Sequence, residues 1–294
     1  MRFGLLGTGP WAGRTHGPAL AAHDDVELVG VWGRRAEAAE TLATRLDTRA
    51  YADPDALLAD CDAVAVALPP DVQAPLAVRA AEAGRHLLLD KPLATTVEGA
   101  REVTAAVERA GVASVVFFTL HFTASTARWL DEQRAVGDGA GGWMLGRADW
   151  FSPVFADSDS PYAASPWRRD KGPLWDIGPH ALSVLVPLLG AVTSVRGARG
   201  AGDTVHLTLR HEGGASSTAT LSHTVPAAAS GVVAEVRGDA GVASLPERDE
   251  SPESSFAHAV DALLSSARGE APHPCDAHFA ESITQLLTQA QSTL

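Results

Sequence analysis

The stretch that most constrains this chain is GTGPWAG, residues 7–13, placed directly behind the short apolar segment Arg2–Leu6. Gly7, Gly9 and Ala12 fall at the G-x-G-x-x-G/A spacing, with Thr8, Pro10 and Trp11 between them. A first glycine permits a tight turn, and a second lets the backbone approach a pyrophosphate. A small third residue lets the following helix sit close to the strand. The start of that helix offers unpaired N–H groups and the positive end of a dipole to phosphates. The spacing alone is weak, because glycines in such a turn often serve the turn only. Here a helical pattern follows over Trp11–Ala22 and a second apolar run covers Val26–Trp32, so a dinucleotide-binding βαβ unit is expected.

The end of that second strand bears on which dinucleotide. An NAD site usually carries Asp or Glu there, accepting hydrogen bonds from the ribose 2′-hydroxyl. This chain has Gly33, Arg34 and Arg35 instead. Removing the carboxylate removes repulsion against a 2′-phosphate, and a guanidinium pairs with that phosphate bidentately. NADP(H) is therefore expected ahead of NAD(H). The competing reading is that the two arginines simply open a solvated helix over Arg35–Leu46.

Alternation of strand and helix continues. Asp62–Leu68 is a continuous apolar run of strand length ended by Pro69 and Pro70, and Val72–Ala83 reads as a helix closed by Gly84. The strand His86–Leu89 runs into Asp90-Lys91-Pro92, followed by a helix over Thr95–Ala110 and a strand over Ala113–Phe118. Repeated βα units give a doubly wound parallel sheet whose ligands lie at the carboxyl ends of the strands. Lys91 stands at such an end, where a lysine binds a phosphate, bridges a carboxylate or faces solvent.

After about Thr119 this alternation stops. Ala124–Ala135 reads as a helix, Gly137–Gly142 as a loop and Trp143–Phe151 as a strand. Asp157–Pro166, rich in Asp, Ser and Pro, reads as a loop, either over the site or as a plain surface excursion. Next comes WRRDKGPLWDIGPH, residues 167–180. Asp176 and His180 are four apart, which on one helix puts them on one face. A carboxylate beside an imidazole fixes its tautomer and raises its basicity, as a general base needs. The plainer alternative is a helix start, with Asp176 near the positive dipole end and Pro179 in the first turn. Thr204–Arg210, Ser216–Ser222 and Val232–Val236 alternate as strands of one mostly antiparallel sheet. His206, His211 and His223 lack ligand spacing and read as surface or sheet residues. The expected fold is α/β: a Rossmann domain over residues 1–119 and an α+β domain with a large open sheet over 120–294, with the boundary near 118–124.

The formal net charge of −13 works against nucleic acid or anionic membrane as a partner, since both ask for a basic face. Cys61 and Cys275 have no metal-type spacing and fit a reducing compartment. No apolar run reaches the roughly 18 residues of a membrane span, and the first residues do not read as a signal peptide. A cytoplasmic protein without a bound metal is expected.

Three motifs together resemble one family. GTGPWAGRTH, AGRHLLLDKPLA over Ala83–Ala94, and WRRDKGPLWDIGPH are similar, in this order, to motifs of the Gfo/Idh/MocA oxidoreductases. The resemblance extends to the tail, where Phe256–Gly269 and Asp276–Leu294 look like closing helices, placing helices over about 253–294 in the second domain. It implies that Lys91 lies between nicotinamide and substrate, and that His180, with Asp176 beside it, accepts the proton during alcohol oxidation. By the same matching, Leu68, Pro69, Asp90 and Pro92 shape the nicotinamide end of the cofactor site, Trp167 and Arg168 lie near cofactor and substrate, and His16 has a structural role. Substrate contacts are then expected from Lys91, His121, Trp167, Asp176 and His180. The chain departs from the family pattern at Asp90, usually Glu; at His121, often Arg; and at Gln73, often His.

The resemblance implies hydride transfer to or from a secondary alcohol or carbonyl of a sugar, polyol or related small molecule, and a homodimer or homotetramer. Two alternatives stand beside it: a hydrolase or lyase that oxidises its substrate transiently with a tightly held nucleotide, and a non-catalytic nucleotide sensor. Retention of Lys91, Asp176 and His180 speaks against lost chemistry.

Overall fold

Strands buried on both faces form the centre of the first part of the structure, a computed structural model that describes residues 1–137, 142–156 and 160–294. The chain divides into two compact units, Met1–Thr123 with Glu250–Ser282 and Ala124–Asp249 with Ile283–Leu294.

In the first unit β1 (Arg2–Leu6) leads through a π-helical turn, Ala12–His16, into α1 (Gly17–Ala21). There follow β2 (Glu27–Trp32), α2 (Ala36–Arg45), β3 (Ala50–Tyr51), α3 (Pro54–Asp60) and β4 (Ala63–Val66). Then come α4 (Pro70–Glu82), β5 (His86–Asp90), α5 (Val97–Ala110) and β6 (Ser114–Phe117). All six strands are parallel, in the order β3-β2-β1-β4-β5-β6. Ala63, Val64, Ala65 and Val66 are wholly buried, which is why that segment reads as a continuous apolar run rather than an alternating one. Periodicity passes over β3 and α3, whose two and seven residues are too few for a repeat to register. The local signal for α3 is its start, where the Asp53 carboxylate accepts from the Asp55 N–H at 3.3 Å and Pro54 takes the first turn. The chain leaves β1 towards β2 and β3 and returns on its other side at β4. The ends of β1 and β4 therefore flank the crevice in which such sheets hold ligands.

The second unit holds α6 (Ala124–Gly137), β7 (Trp143–Phe151), α7 (Pro166–Asp176), α8 (Gly178–Leu189), β8 (Val192–Arg199), β9 (Val205–His211), β10 (Ser216–Ser222), β11 (Gly231–Gly238) and β12 (Gly241–Ser244). Its sheet runs β12-β11-β7-β10-β9-β8, antiparallel except between β7 and β10. Alternation is clear in β9, where Val205, Leu207, Leu209 and His211 are buried and His206, Thr208 and Arg210 are exposed. The apolar helix α8 covers β7, β10 and β11. The loops expected at Gly137–Gly142 and Asp157–Pro166 fall partly on residues 138–141 and 157–159, outside the described residues.

Two helices close the chain, α9 (Pro252–Ala267) and α10 (Ala277–Gln291). The expected division put residues from about 253 onward in the second domain. Instead α9 belongs to the first unit, packing on α1, β5 and β6. The cause is apolar: Phe256 is wholly buried, its ring 5.0 Å from that of Phe117 and 4.0 Å from that of His16. Among the described residues no helix is long and apolar enough to cross a membrane.

Candidate active site

The glycine loop leaves β1 at Leu6. The Gly7 N–H donates to the Trp32 carbonyl at 2.8 Å, tying the loop to the end of β2. Gly7 has φ +136°, and a Cβ there would lie 2.4 Å from the Ala67 carbonyl oxygen, so conformation and space both require glycine. Gly9 is different. It is exposed, and a Cβ at that position would meet nothing within 4 Å. The fold itself makes no demand for glycine there; the close approach of a pyrophosphate does. Ala12 is wholly buried, Thr8 and Trp11 are half-buried and Pro10 is exposed. At the end of β2 Gly33 is buried while Arg34 and Arg35 are exposed, Arg35 immediately preceding α2. The helix-start reading of those arginines is observed, with Arg35 at the cap of α2. The loop and strand ends fit a dinucleotide cofactor.

The end of β5 is held by a residue whose role the sequence did not reveal. Gln73, buried on α4, donates from Nε2 to the carbonyls of Asp90 (2.7 Å), Pro92 (3.2 Å) and Leu93 (3.2 Å). Its Oε1 accepts from the Asp90 N–H at 2.9 Å. This one side chain therefore clamps the loop that carries Lys91. The Asp90 carboxylate accepts from the backbone N–H of Lys91 at 2.9 Å, a contact within reach of its short side chain. Lys91 is half-buried and Pro92 buried. Leu68 and Pro69, both half-buried, follow β4, with Pro69 directly ahead of α4. His121 lies in the 3-10 turn Thr119–Phe122, buried, with its ring 6.3 Å from Phe118 and 6.2 Å from Phe279.

His16 is wholly buried against Trp11, Phe117 and Phe256. Burial lowers its pKa to about 3, with a backbone contact to Trp11 acting the other way, so the ring is neutral at physiological pH. The surroundings are those of a packed core residue.

In the second unit the third motif does not form one helix. Gly172, at φ +67° and ψ −167°, kinks α7; Asp176 ends it, and α8 starts at Gly178 with Pro179 in its first turn. The single helical face imagined for Asp176 and His180 is therefore corrected: Ile177 separates two helices. The helix-start alternative is the one realised, with Asp176 just ahead of the positive end of α8. The Asp176 carboxylate, 7% exposed, accepts from Arg168 Nε at 2.9 Å. His223 Nε2 lies 3.3 Å from the same Oδ2, at ion-pair distance without the alignment of a hydrogen bond. The Arg168 guanidinium stacks over the rings of Tyr162 and Trp167, 5.0 Å from each centroid. His180 is buried and stacks on Trp150, with centroids 4.8 Å apart and planes at 16°.

Of the three downstream histidines only His206 is exposed; His211 and His223 are buried. His211 bridges the Gly190 carbonyl and Ser217 Oγ, and burial lowers its pKa. His223 is positioned through its backbone N–H, which donates to the Asp203 carboxylate at 3.0 Å. One signal for it was present: Ser217, Ala219 and Leu221 face the covered side of the sheet, and the same period of two carries on to 223.

The structure thus brings the glycine loop, Gly33, Arg34, Leu68, Pro69 and the Lys91 loop to strand ends of the first unit. It gathers Trp167, Arg168, Asp176 and His180 on α7 and α8 of the second. Comparison with known proteins fits this arrangement. Residues 1–118 match the model of an oxidoreductase family with an NAD-binding Rossmann fold, and residues 141–244 match the GFO/IDH/MocA C-terminal domain. The chain belongs to the Gfo/Idh/MocA family. A dTDP-3,4-didehydro-2,6-dideoxy-α-D-glucose 3-reductase of Streptomyces violaceoruber is 37% identical over 209 residues, 70% of this chain and 59% of that protein. The chain therefore matches less than two thirds of that curated relative's length. Among solved structures, GenD2 from gentamicin A biosynthesis in complex with NAD aligns with a TM-score of 0.85 at 22% identity, covering 100% of this chain and 93% of that one. A levoglucosan dehydrogenase in complex with NADH and levoglucosan aligns at 0.86 with 19% identity, covering 100% and 96%. These structures share the fold of this Gfo/Idh/MocA chain.

Proposed function

We propose that this chain is an NADP(H)-dependent oxidoreductase acting on a secondary alcohol or carbonyl of a sugar, polyol or related small molecule. The observation that carries the reading is the first unit's pairing of an open glycine cradle at Gly9 with a lysine held at the end of β5 by the Gln73 clamp. The bound nucleotide supplies or takes the hydride. Lys91 is assigned the stabilisation of negative charge at the reacting oxygen, which a fixed ammonium does well where water is excluded. His180 is assigned the exchange of the hydroxyl proton. Asp176, held by Arg168, is assigned the orienting of His180. The NADP(H) preference rests on Gly33 and the exposed Arg34 and Arg35. The sugar class rests on the names of the relatives. The two cysteines are buried thiols, in keeping with a cytoplasmic setting.

We also propose that the uncovered face of the second unit's sheet joins copies of the chain into a homodimer or homotetramer. Leu145, Val233 and Val242 share that face by register and are 52%, 50% and 54% exposed, so several large apolar side chains stand open on one side of the sheet.

The test is a screen of sugars and nucleotide sugars with NADP and NADPH, followed by absorbance. His180→Ala should lower turnover by about 10²–10⁴-fold, the usual contribution of a positioned acid–base group, with nucleotide binding intact. Normal turnover in Lys91→Ala on the same substrate would refute the assignment. A nucleotide that copurifies and is regenerated without net absorbance change would point to transient oxidation instead.

A further inference from the structure

We propose that His223 is a positioning residue of the reaction: its Nε2–H is directed at the Asp176 carboxylate and fixes the plane in which that carboxylate orients His180. The inference rests on the function proposed above and adds a residue that lies outside the three sequence motifs. His223 is wholly buried, and its Nε2 stands 3.3 Å from Asp176 Oδ2. Its Nδ1 has no hydrogen-bond partner among the described residues. A neutral imidazole carries one N–H, on either nitrogen. A proton on Nδ1 would leave a buried donor unsatisfied and turn the bare lone pair of Nε2 on a carboxylate oxygen. A proton on Nε2 offers Asp176 a donor and leaves only an unused acceptor behind. The surroundings therefore select the Nε2–H form.

The chain on both sides of the ring is pinned. The Asp203 carboxylate accepts from the Ser222 and Thr224 hydroxyls, each at 2.7 Å, and from the His223 N–H at 3.0 Å. The His223 carbonyl accepts from the Phe155 N–H at 3.0 Å. The Phe155 ring stands edge-on to the imidazole, with 5.3 Å between centroids and 85° between planes. Arg168 approaches Asp176 from a different quarter. Its Nε reaches the same Oδ2 at 2.9 Å from the first half of α7, on the far side of the Gly172 kink. The aspartate torsion about Cβ–Cγ is broad, and one donor to one oxygen does not by itself set the plane of a carboxylate. A donor from a helix and another from a strand end do. The 3.3 Å separation is long and poorly aligned, as catalytic hydrogen bonds often are before substrate binds, and they tighten once it does.

The experiment compares His223→Leu, His223→Gln, His223→Asn and Asp176→Asn with the wild type on a substrate from the screen above. For each, kcat, KM, nucleotide affinity and melting temperature are measured. Gln carries an N–H at about the place of Nε2, and Asn at about that of Nδ1. His223→Leu keeps an apolar filling and removes the donor. It should lower kcat about tenfold or more, the size of one hydrogen bond to a charged group, with KM and nucleotide affinity unchanged. His223→Gln should recover most of that loss, and His223→Asn should not. Wild-type kcat in His223→Leu, or equal recovery by Gln and Asn, would overturn the role. If His223→Leu fails to fold, the comparison of Gln with Asn decides. Asp176→Asn separates this inference from the reading beneath it. Impaired turnover there with unchanged turnover in His223→Leu rejects His223 alone, and unchanged turnover in both rejects the assignment of Asp176. Nitrogen NMR of the histidine rings checks the contact without reference to activity. It should place the His223 proton on Nε2 in the wild type, with a signal that moves in Asp176→Asn; a proton on Nδ1 refutes the contact.

Discussion

His16 should make the stability of this protein fall steeply in mildly acidic solution. Its ring is wholly buried between Phe117 and Phe256, and its pKa falls from 6.5 to about 3. Between those two values the unfolded chain holds a proton at this residue that the folded chain does not. Stability therefore rises with pH across the window, is fully present above about pH 6.5, and is lost as pH falls towards 3. Each unit of separation is worth ~1.4 kcal/mol, so the whole window amounts to about 5 kcal/mol and the step from pH 6.5 to 5.0 to about 2 kcal/mol. The assay is urea unfolding at pH 7.5 and 5.0 for the wild type and for His16→Leu, which removes the titrating group and keeps an apolar side chain. His86 and His211, whose pKa values burial also lowers, titrate equally in both proteins and drop out of the comparison. The wild type should lose about 2 kcal/mol more than the variant between the two pH values. Parallel losses would refute the claim that His16 is buried neutral.

Gln73→Leu should destabilise the protein and lower turnover together, because it leaves the Asp90 N–H and three carbonyls around Lys91 without their partner, at about 1–3 kcal/mol for each group left buried and unsatisfied. A melting temperature equal to that of the wild type would show that the clamp carries no weight. Val233→Glu, which adds charge to the uncovered sheet face, should reduce the oligomer to monomers in sedimentation velocity, and an unchanged sedimentation coefficient would place the interface elsewhere.

What could be read along the chain was what depends on near neighbours. Gly7 is required by a turn of a few residues, and Ala63–Val66 by burial on both faces of one strand. Both leave their mark in consecutive letters, so the Rossmann half and the cofactor loop were legible. The antiparallel half was legible for the same reason, since alternation in β9 and β10 is a period of two. The third motif was legible in content and misread in shape. Arg168 does meet Asp176, but Gly172 and Ile177 break the helix that a spacing of four invites.

The residues that escaped are those whose partners lie far along the chain. Gln73 bonds to carbonyls 17 to 20 positions on, and nothing near it in sequence marks it out. His223, just past the end of β10, meets Asp176 at the end of α7 because α7 packs on β10. The tail helix α9 was assigned to the wrong unit for the same reason: its amphipathic pattern states that one face is buried, not against what, and the partners of Phe256 prove to be Phe117 and His16.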